Sequence, residues 1–88
     1  MDLQETTVWM LERLEKDGCL YQDDVVDVLV KSGSNDLLRE NLDGNEVLTK
    51  QLLDAFKKET ETNVVWVRSD LYWRYRVPED EPIRIARG

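Results

Sequence analysis

Histidine is absent from this sequence of 88 residues, and cysteine occurs only once, at Cys19. Without histidine, the chain lacks the commonest general base, the commonest metal ligand and the usual activator of a nucleophile. A single cysteine cannot form an internal disulfide and is typical of a reducing compartment. We therefore predict a cytoplasmic protein whose fold does not depend on disulfides.

Long apolar runs and nucleotide-binding or catalytic motifs are also missing. No apolar run approaches the length of about 18 residues that a membrane span needs, and no signal peptide is recognisable. The sequence has neither a glycine-rich phosphate loop nor a nucleophile elbow. We expect no membrane segment, no cofactor, no metal and no enzymatic activity.

Charge is plentiful but unevenly distributed. The net charge is −7, with 12 acidic and 4 basic residues in Met1–Val47, and 7 acidic and 8 basic residues in Leu48–Gly88. An acidic protein is repelled by nucleic acid at long range, although the carboxyl-terminal half is close to neutral. This distribution favours a protein partner over nucleic acid.

The stretch Val64–Val77 has the most informative pattern, VVWVRSDLYWRYRV. From Leu71 onward the side chains alternate between two faces. One face has Leu71, Trp73, Tyr75 and Val77, and the other has Tyr72, Arg74 and Arg76. β-Branched and aromatic residues dominate both sides of Ser69 and Asp70, a pair typical of turns. The pattern predicts a β-hairpin.

Two registers are compatible with this hairpin. A three-residue loop, 68–70, would place Val67 opposite Leu71, with Asp70 in the left-handed conformation. A two-residue loop would instead pair Trp66 with Trp73. We favour the first register because it separates an apolar face from an aromatic and cationic one. The predicted core face is Val65, Val67, Leu71, Trp73 and Tyr75. The predicted outer face is Val64, Trp66, Tyr72, Arg74 and Arg76.

Three helices precede the hairpin in our interpretation. Thr6 or Thr7 is expected to cap the first, and Gly18 to end it in a left-handed conformation. After a short extended link, a second helix is predicted to begin near Gln22 and to end at 32–34. The predicted core, including the hairpin, consists of Leu11, Leu14, Val25, Val26, Leu29, Leu52, Leu53, Phe56, Val65, Val67 and Trp73.

The segment 34–47 has two interpretations. Asp43-Gly44 is a strong turn signal, which favours a small hairpin. The alternative is a short helix over Asp36–Glu40. Thr49 is then expected to cap a third helix that ends near Thr60.

The predicted order is helix, short strand, helix, connection, helix and hairpin. This is an α+β fold with three helices and a small antiparallel sheet, and it is winged-helix-like in its order. We predict one domain, 1–77, followed by an acidic, proline-flanked tail, 78–88, whose last residues from Ile83 are expected to fray.

Several blocks of the sequence resemble a small bacterial family of uncharacterised domains associated with mobile, integron-type gene cassettes. The blocks are WMLERLEKDGCLYQDDVV, NLDGNEVL, LLDAFKK, and VVWVRSDLYWRYR followed by DEP. The resemblance covers nearly the whole chain. It carries no known activity, so it implies no catalytic residue at any position.

Three features that superficially resemble sites have simpler explanations. Asp23 and Asp27, one helical turn apart, are typical of a solvated helix face. The segment 43–46 lacks the ligand ladder of a calcium loop and is typical of a plain turn. Cys19 follows a helix end and has no histidine to activate it, so we interpret it as a small apolar filler.

The outer face of the hairpin is the one constellation that suggests a function. Trp, Tyr and Arg commonly anchor protein interfaces, so we predict that Trp66, Tyr72, Arg74 and Arg76 contact a protein partner or a second copy of the chain. The alternative is nucleic-acid binding through the third helix and the hairpin. Its candidate phosphate contacts are Lys50, Lys57, Lys58, Arg68, Arg74 and Arg76.

Overall fold

The computed structural model describes residues 1–60 and 63–77, together with the backbone of Ile85–Ala86. It contains three helices, a four-stranded sheet and a separate two-stranded sheet. The α+β arrangement of three helices with a small antiparallel sheet is confirmed. The elements in chain order are α1 (Leu3–Asp17), β1 (Cys19–Tyr21), α2 (Gln22–Lys31), a 3-10 turn (Asn35–Leu37), β2 (Leu38–Glu40), β3 (Glu46–Leu48), α3 (Lys50–Thr60), β4 (Val64–Val67), β5 (Tyr72–Tyr75) and β6 (Ile85–Ala86).

The first helix begins earlier than its threonines predict. Asp2 is the N-cap, and its carboxylate accepts a hydrogen bond from the main-chain N–H of Glu5 at 2.8 Å. The Glu5 side chain reaches back to the N–H of Asp2, which completes a capping box. Thr6 and Thr7 lie inside the helix and are buried, so the predicted caps are wrong. The predicted end is confirmed, because Gly18 has a φ of 76°.

The second and third helices follow their sequence signals. Helix α2 begins at Gln22 and ends at Lys31, with Ser32 as its C-cap. Helix α3 begins after Thr49, whose hydroxyl accepts the main-chain N–H of Leu52 at 3.4 Å. Both predicted starts are confirmed.

The segment between these two helices is extended, as the favoured interpretation predicts. Strands β2 and β3 pair antiparallel, with Leu38 opposite Leu48 and Glu40 opposite Glu46. The alternative helix over 36–40 is wrong, although a single 3-10 turn precedes β2. Leu37 and Leu48 are buried, which anchors the small sheet to the main core.

The strands of the main sheet have the order β1–β5–β4–β6. Strand β5 pairs antiparallel with β1 on one side and with β4 on the other. Ile85–Ala86 pair parallel with β4, so the expected fraying is wrong for these two residues. The rest of the predicted tail lies outside the described residues.

The register of the hairpin is the one that we disfavoured. Trp66 lies opposite Trp73 and Val67 lies opposite Tyr72, so the Val67–Leu71 register is wrong. Four residues, 68–71, connect the strands, and Leu71 rather than Asp70 has a positive φ, of 54°. A shift of one residue moves every side chain of one strand to the other face, because the side-chain period is two.

The core lies between the helices and one face of the main sheet. Phe56 of α3 is fully buried, and its ring meets the Trp73 ring edge-on with centroids 5.1 Å apart. Among the predicted core residues, Leu11, Val26 and Leu53 are only partly buried. The rest are buried, and the structure adds Met10, Leu20, Leu37, Leu48 and Val64. Val65 and Val67 form a second small cluster, on the other face of the sheet.

Candidate functional site

The predicted outer face of the hairpin is divided between the two sides of the sheet. Trp66 shares a face with Trp73, and their ring centroids are 4.6 Å apart. Trp66 therefore packs against the main core and is only partly buried there. Tyr72 and Arg74 lie on the opposite face, together with Val65 and Val67. The structure does not bring Trp66 together with the other predicted contact residues.

A different aromatic pair occupies the face away from the helices. Strand β1 places Tyr21 directly opposite Tyr72 of β5, and the two rings stack with centroids 5.0 Å apart at an angle of 29°. The Tyr21 side chain is 46% exposed, whereas Tyr72 is partly buried against Val65 and Val67. Tyr21 was missed in the sequence because its strand has three residues, and only the β1–β5 register reveals its neighbour.

An exposed leucine adjoins this pair in the chain. Leu71 is 44% exposed, and its carbonyl oxygen accepts the main-chain N–H of Gln22, the residue after Tyr21, at 3.0 Å. This bond ties the hairpin loop to the junction of β1 and α2. We call Tyr21, Leu71 and Tyr72 the hairpin patch.

The residues next to the hairpin patch carry negative charge. Asp23 and Asp24 lie in the first turn of α2, just after Tyr21, and Asp70 precedes Leu71. All three carboxylates belong to exposed residues. Arg74 lies on the same sheet face as Tyr72, and its Nη1 donates to the Tyr75 carbonyl at 3.1 Å.

The six cationic residues considered for nucleic acid do not form one surface. Lys50, Lys57 and Lys58 lie on α3, which packs against the sheet face that carries Trp73. Arg74 lies on the other face, and period two places Arg76 there as well. Lys50 also forms an ion pair with Asp54 at 2.6 Å. Arg68 is exposed in the hairpin loop.

The carboxylates of α2 and of the β2–β3 turn do not belong to any cluster of three or more potential metal ligands within the part of the chain that the structure describes. Asp27 pairs with Lys31 at 2.9 Å, rather than acting together with Asp23. No group of three or more acidic or cysteine residues that could hold a metal ion occurs among residues 1–60 and 63–77. Cys19 is a free, half-buried thiol.

A groove lies between α1 and α3, on the helical side of the molecule. It has a volume of about 450 Å³, and its lining is mostly apolar. Val8, which is 46% exposed, contributes to it together with Leu3, Leu11, Ala55 and the side of Lys58. None of these residues was predicted as a site from the sequence.

The fold and these surfaces define an α+β domain of three helices and two small sheets, with an exposed tyrosine stack and an apolar groove. Residues 2–75 match the DUF6953 family, which is described as a family of unknown function. The chain therefore belongs to the DUF6953 family. No curated protein and no solved structure gives a significant match. Of the helices described, none is long and apolar enough to cross a membrane.

Proposed function

We propose that this protein is a non-enzymatic module that binds another protein through the hairpin patch. The observation that carries the proposal is the Tyr21–Tyr72 stack, on the sheet face away from the helices, with Tyr21 46% exposed. Tyrosine offers a large, rigid and partly apolar contact surface and is enriched at protein interfaces. The stack holds both rings in place before a partner arrives, which reduces the entropy lost on binding.

The charges around the patch suggest what kind of partner it fits. Asp23, Asp24 and Asp70 are close to the tyrosines in the chain, and the protein has a net charge of −7. Complementary potentials favour a partner whose binding surface has an apolar centre and a basic rim. The single cysteine and the resemblance to bacterial gene-cassette domains support a cytoplasmic, bacterial setting for that partner.

Nucleic-acid binding is the second candidate function. The helix and strand order, with β5 between β1 and β4, supports a resemblance to winged-helix domains, which are often nucleic-acid binders. Three arguments weigh against it: the net negative charge, the engagement of Lys50 by Asp54, and the separation of Arg74 from the lysines of α3. Protein binding is therefore the function that we favour.

The test of protein binding uses two tyrosines of similar exposure. Tyr21 lies in the patch, while Tyr75 is 42% exposed and lies on the other face of the sheet. The wild type, Tyr21→Ser and Tyr75→Ser are used as bait in a bacterial lysate, and captured proteins are purified for affinity measurements. We expect Tyr21→Ser to weaken partner affinity about tenfold or more and Tyr75→Ser to leave it unchanged.

Two outcomes would overturn the proposal. One is a wild-type protein that captures nothing, and the other is a Tyr21→Ser variant that keeps every partner. Titration with duplex DNA at two salt concentrations tests nucleic-acid binding, the second candidate function. Phosphate contacts lose affinity steeply between about 50 mM and 200 mM salt, whereas an aromatic contact changes little.

A further inference from the structure

A second cavity lies on the outer side of α1, towards its amino-terminal end. Its volume is about 390 Å³, and the residues that line it lie between Met1 and Glu12. Val8 and Trp9 form its apolar part. Val8 is 46% exposed, whereas Trp9 is partly buried against the main core. We call this depression the α1 cavity.

Negative charge dominates the α1 cavity. Asp2, Glu5 and Glu12 line it, and no lysine or arginine of the described residues does. Asp2 and Glu5 accept only the main-chain N–H groups of the capping box, and Glu12 has no ion-pair partner in the described part of the chain. Met1 also lines the cavity, but its amino group donates to the Ser34 hydroxyl. Three carboxylates therefore adjoin one engaged amino group, which leaves an excess of negative charge.

The indole ring of Trp9 already contacts one cation of its own chain. The guanidinium carbon of Arg13 lies 5.8 Å from the ring centroid, within the range of a cation–π contact. The Nε of Arg13 donates to Asp17 at 2.7 Å, and neither residue lines the α1 cavity, so this charge is paired outside it. Trp9 itself does line the cavity, so the same ring presents surface to a molecule that enters there.

Helical spacing places two of the carboxylates beside the apolar part of the cavity. Glu5 precedes Trp9 by four residues and Glu12 follows it by three, and residues at these spacings are neighbours on a helix surface. An arginine side chain has a planar guanidinium that stacks on aromatic rings and pairs with carboxylates, and a carbon stem that packs on apolar groups. The α1 cavity offers a surface for each of these parts.

Charge also decides between the classes of partner. Nucleic acid is a polyanion, and a second copy of the chain has the same net charge of −7, so the carboxylates repel both at long range. A different protein with a basic surface is attracted. We propose that the α1 cavity binds an arginine side chain of a basic partner protein, with the guanidinium against Trp9 and beside Glu5 or Glu12. The cavity shares no residue with the hairpin patch, so this contact does not depend on the function proposed for that patch.

Titration with short peptides, followed by NMR, tests the proposal. The probe is a capped peptide of alternating arginine and glycine. The control peptide has citrulline in place of arginine, which keeps the length of the side chain and removes its charge. At about 20 mM salt, we expect the arginine peptide to shift the indole N–H signal of Trp9 more than those of Trp66 and Trp73. The citrulline peptide should bind about tenfold more weakly, because it forms neither the cation–π contact nor the ion pair.

Two glutamates of α1 provide matched variants. Glu12 lines the cavity, whereas Glu15 is also exposed on α1 but does not line it. Glu12→Gln should weaken binding of the arginine peptide about threefold, the size expected for one exposed ion pair, and Glu15→Gln should change it much less. Neither variant alters the capping box at Asp2, so both should fold as the wild type does.

Three results of the peptide titrations would overturn the proposal. They are a Trp9 signal that does not respond to the arginine peptide, equal binding of the arginine and citrulline peptides, and equal weakening by Glu12→Gln and Glu15→Gln. The last result would mean that the peptide responds to the overall charge rather than to the cavity. A Trp9 signal that shifts with the concentration of the protein alone would instead assign the cavity to a second copy, and would also overturn the proposal.

Discussion

Leu71 has the least favourable backbone conformation among the non-glycine residues that the structure describes. It is the only one of them with a positive φ, 54°, in a region that side chains other than glycine, asparagine and aspartate rarely adopt. It is also exposed and belongs to the hairpin patch. Strain at an exposed side chain is consistent with a residue retained for contact rather than for stability.

Leu71→Asn should therefore stabilise the protein while weakening partner binding. Asparagine tolerates the left-handed region, so we expect the free energy of unfolding to rise by about 0.5–1 kcal/mol. Chemical denaturation measures this change. Leu42→Asn, at an exposed leucine without a positive φ, is the control and should not stabilise the fold in this way. A loss of stability in Leu71→Asn would show that its side chain contributes to packing.

Phe56 is the residue on which the main core depends most directly. It is fully buried between the helices and the sheet, in edge contact with Trp73. Phe56→Ala should lower the free energy of unfolding by about 3–5 kcal/mol, a large part of the stability of a small domain. Lys57→Ala, at an exposed neighbour, should change it by less than about 0.5 kcal/mol. An unchanged melting temperature in Phe56→Ala would contradict this assignment.

Individual core residues could be predicted from sequence better than surface residues could. Leu14, Val25, Leu29, Leu52 and Phe56 follow helical spacing, so their burial could be inferred without coordinates. Trp66 and Tyr21 could not be assigned in this way. Their neighbours depend on strand register and on a pairing between distant parts of the chain.

At the scale of elements, the first helix relies on its amino-terminal cap. Asp2→Ala removes the acceptor for the Glu5 N–H and should cost about 1 kcal/mol in the free energy of unfolding. Asp2→Asn keeps an acceptor oxygen and should lose much less. Thr6 is buried, and its hydroxyl donates to the Asp2 carbonyl. Thr6→Ser retains this hydroxyl and the Asp2 carboxylate, so it distinguishes the loss of the cap from a change at the buried threonine. Equal stability of Asp2→Ala and the wild type would contradict the role of the cap.

The hairpin illustrates which part of an element the sequence determines. Alternation identifies the two strands and shows which residues of each strand share a face. It does not determine the offset between the strands, which depends on the loop. The register that forms is the alternative of the two, and its loop has four residues with Leu71 in the left-handed region, where leucine is unfavourable. The error of one residue moved Trp66 from the predicted contact face to the core.

At the scale of the whole molecule, negative charge opposes folding. The chain has 19 acidic and 12 basic residues, and its described ion pairs are exposed, local pairs one helical turn apart. Such pairs contribute little, while the excess charge repels itself. Raising the salt concentration from about 10 mM to about 150 mM should therefore raise the melting temperature, because screening shortens the range of the repulsion.

A matched variant checks this explanation. Neutralising Glu12 and Glu15 to glutamine lowers the excess charge at two exposed positions of α1, so the salt-induced rise in melting temperature should be smaller. A wild type whose melting temperature falls with salt would show that attractive pairs dominate over the net repulsion.

The central position of β5 has a consequence for the protein during its synthesis. Strand β1 is made early, but its partner follows only after α2, the two-stranded sheet and α3 have been made. Until Trp73 emerges, Leu20 and the apolar sides of the helices have no sheet to pack against. The nascent domain therefore exposes apolar surface until β5 has been made, and fragments that stop within α3 should be substrates for chaperones and proteases.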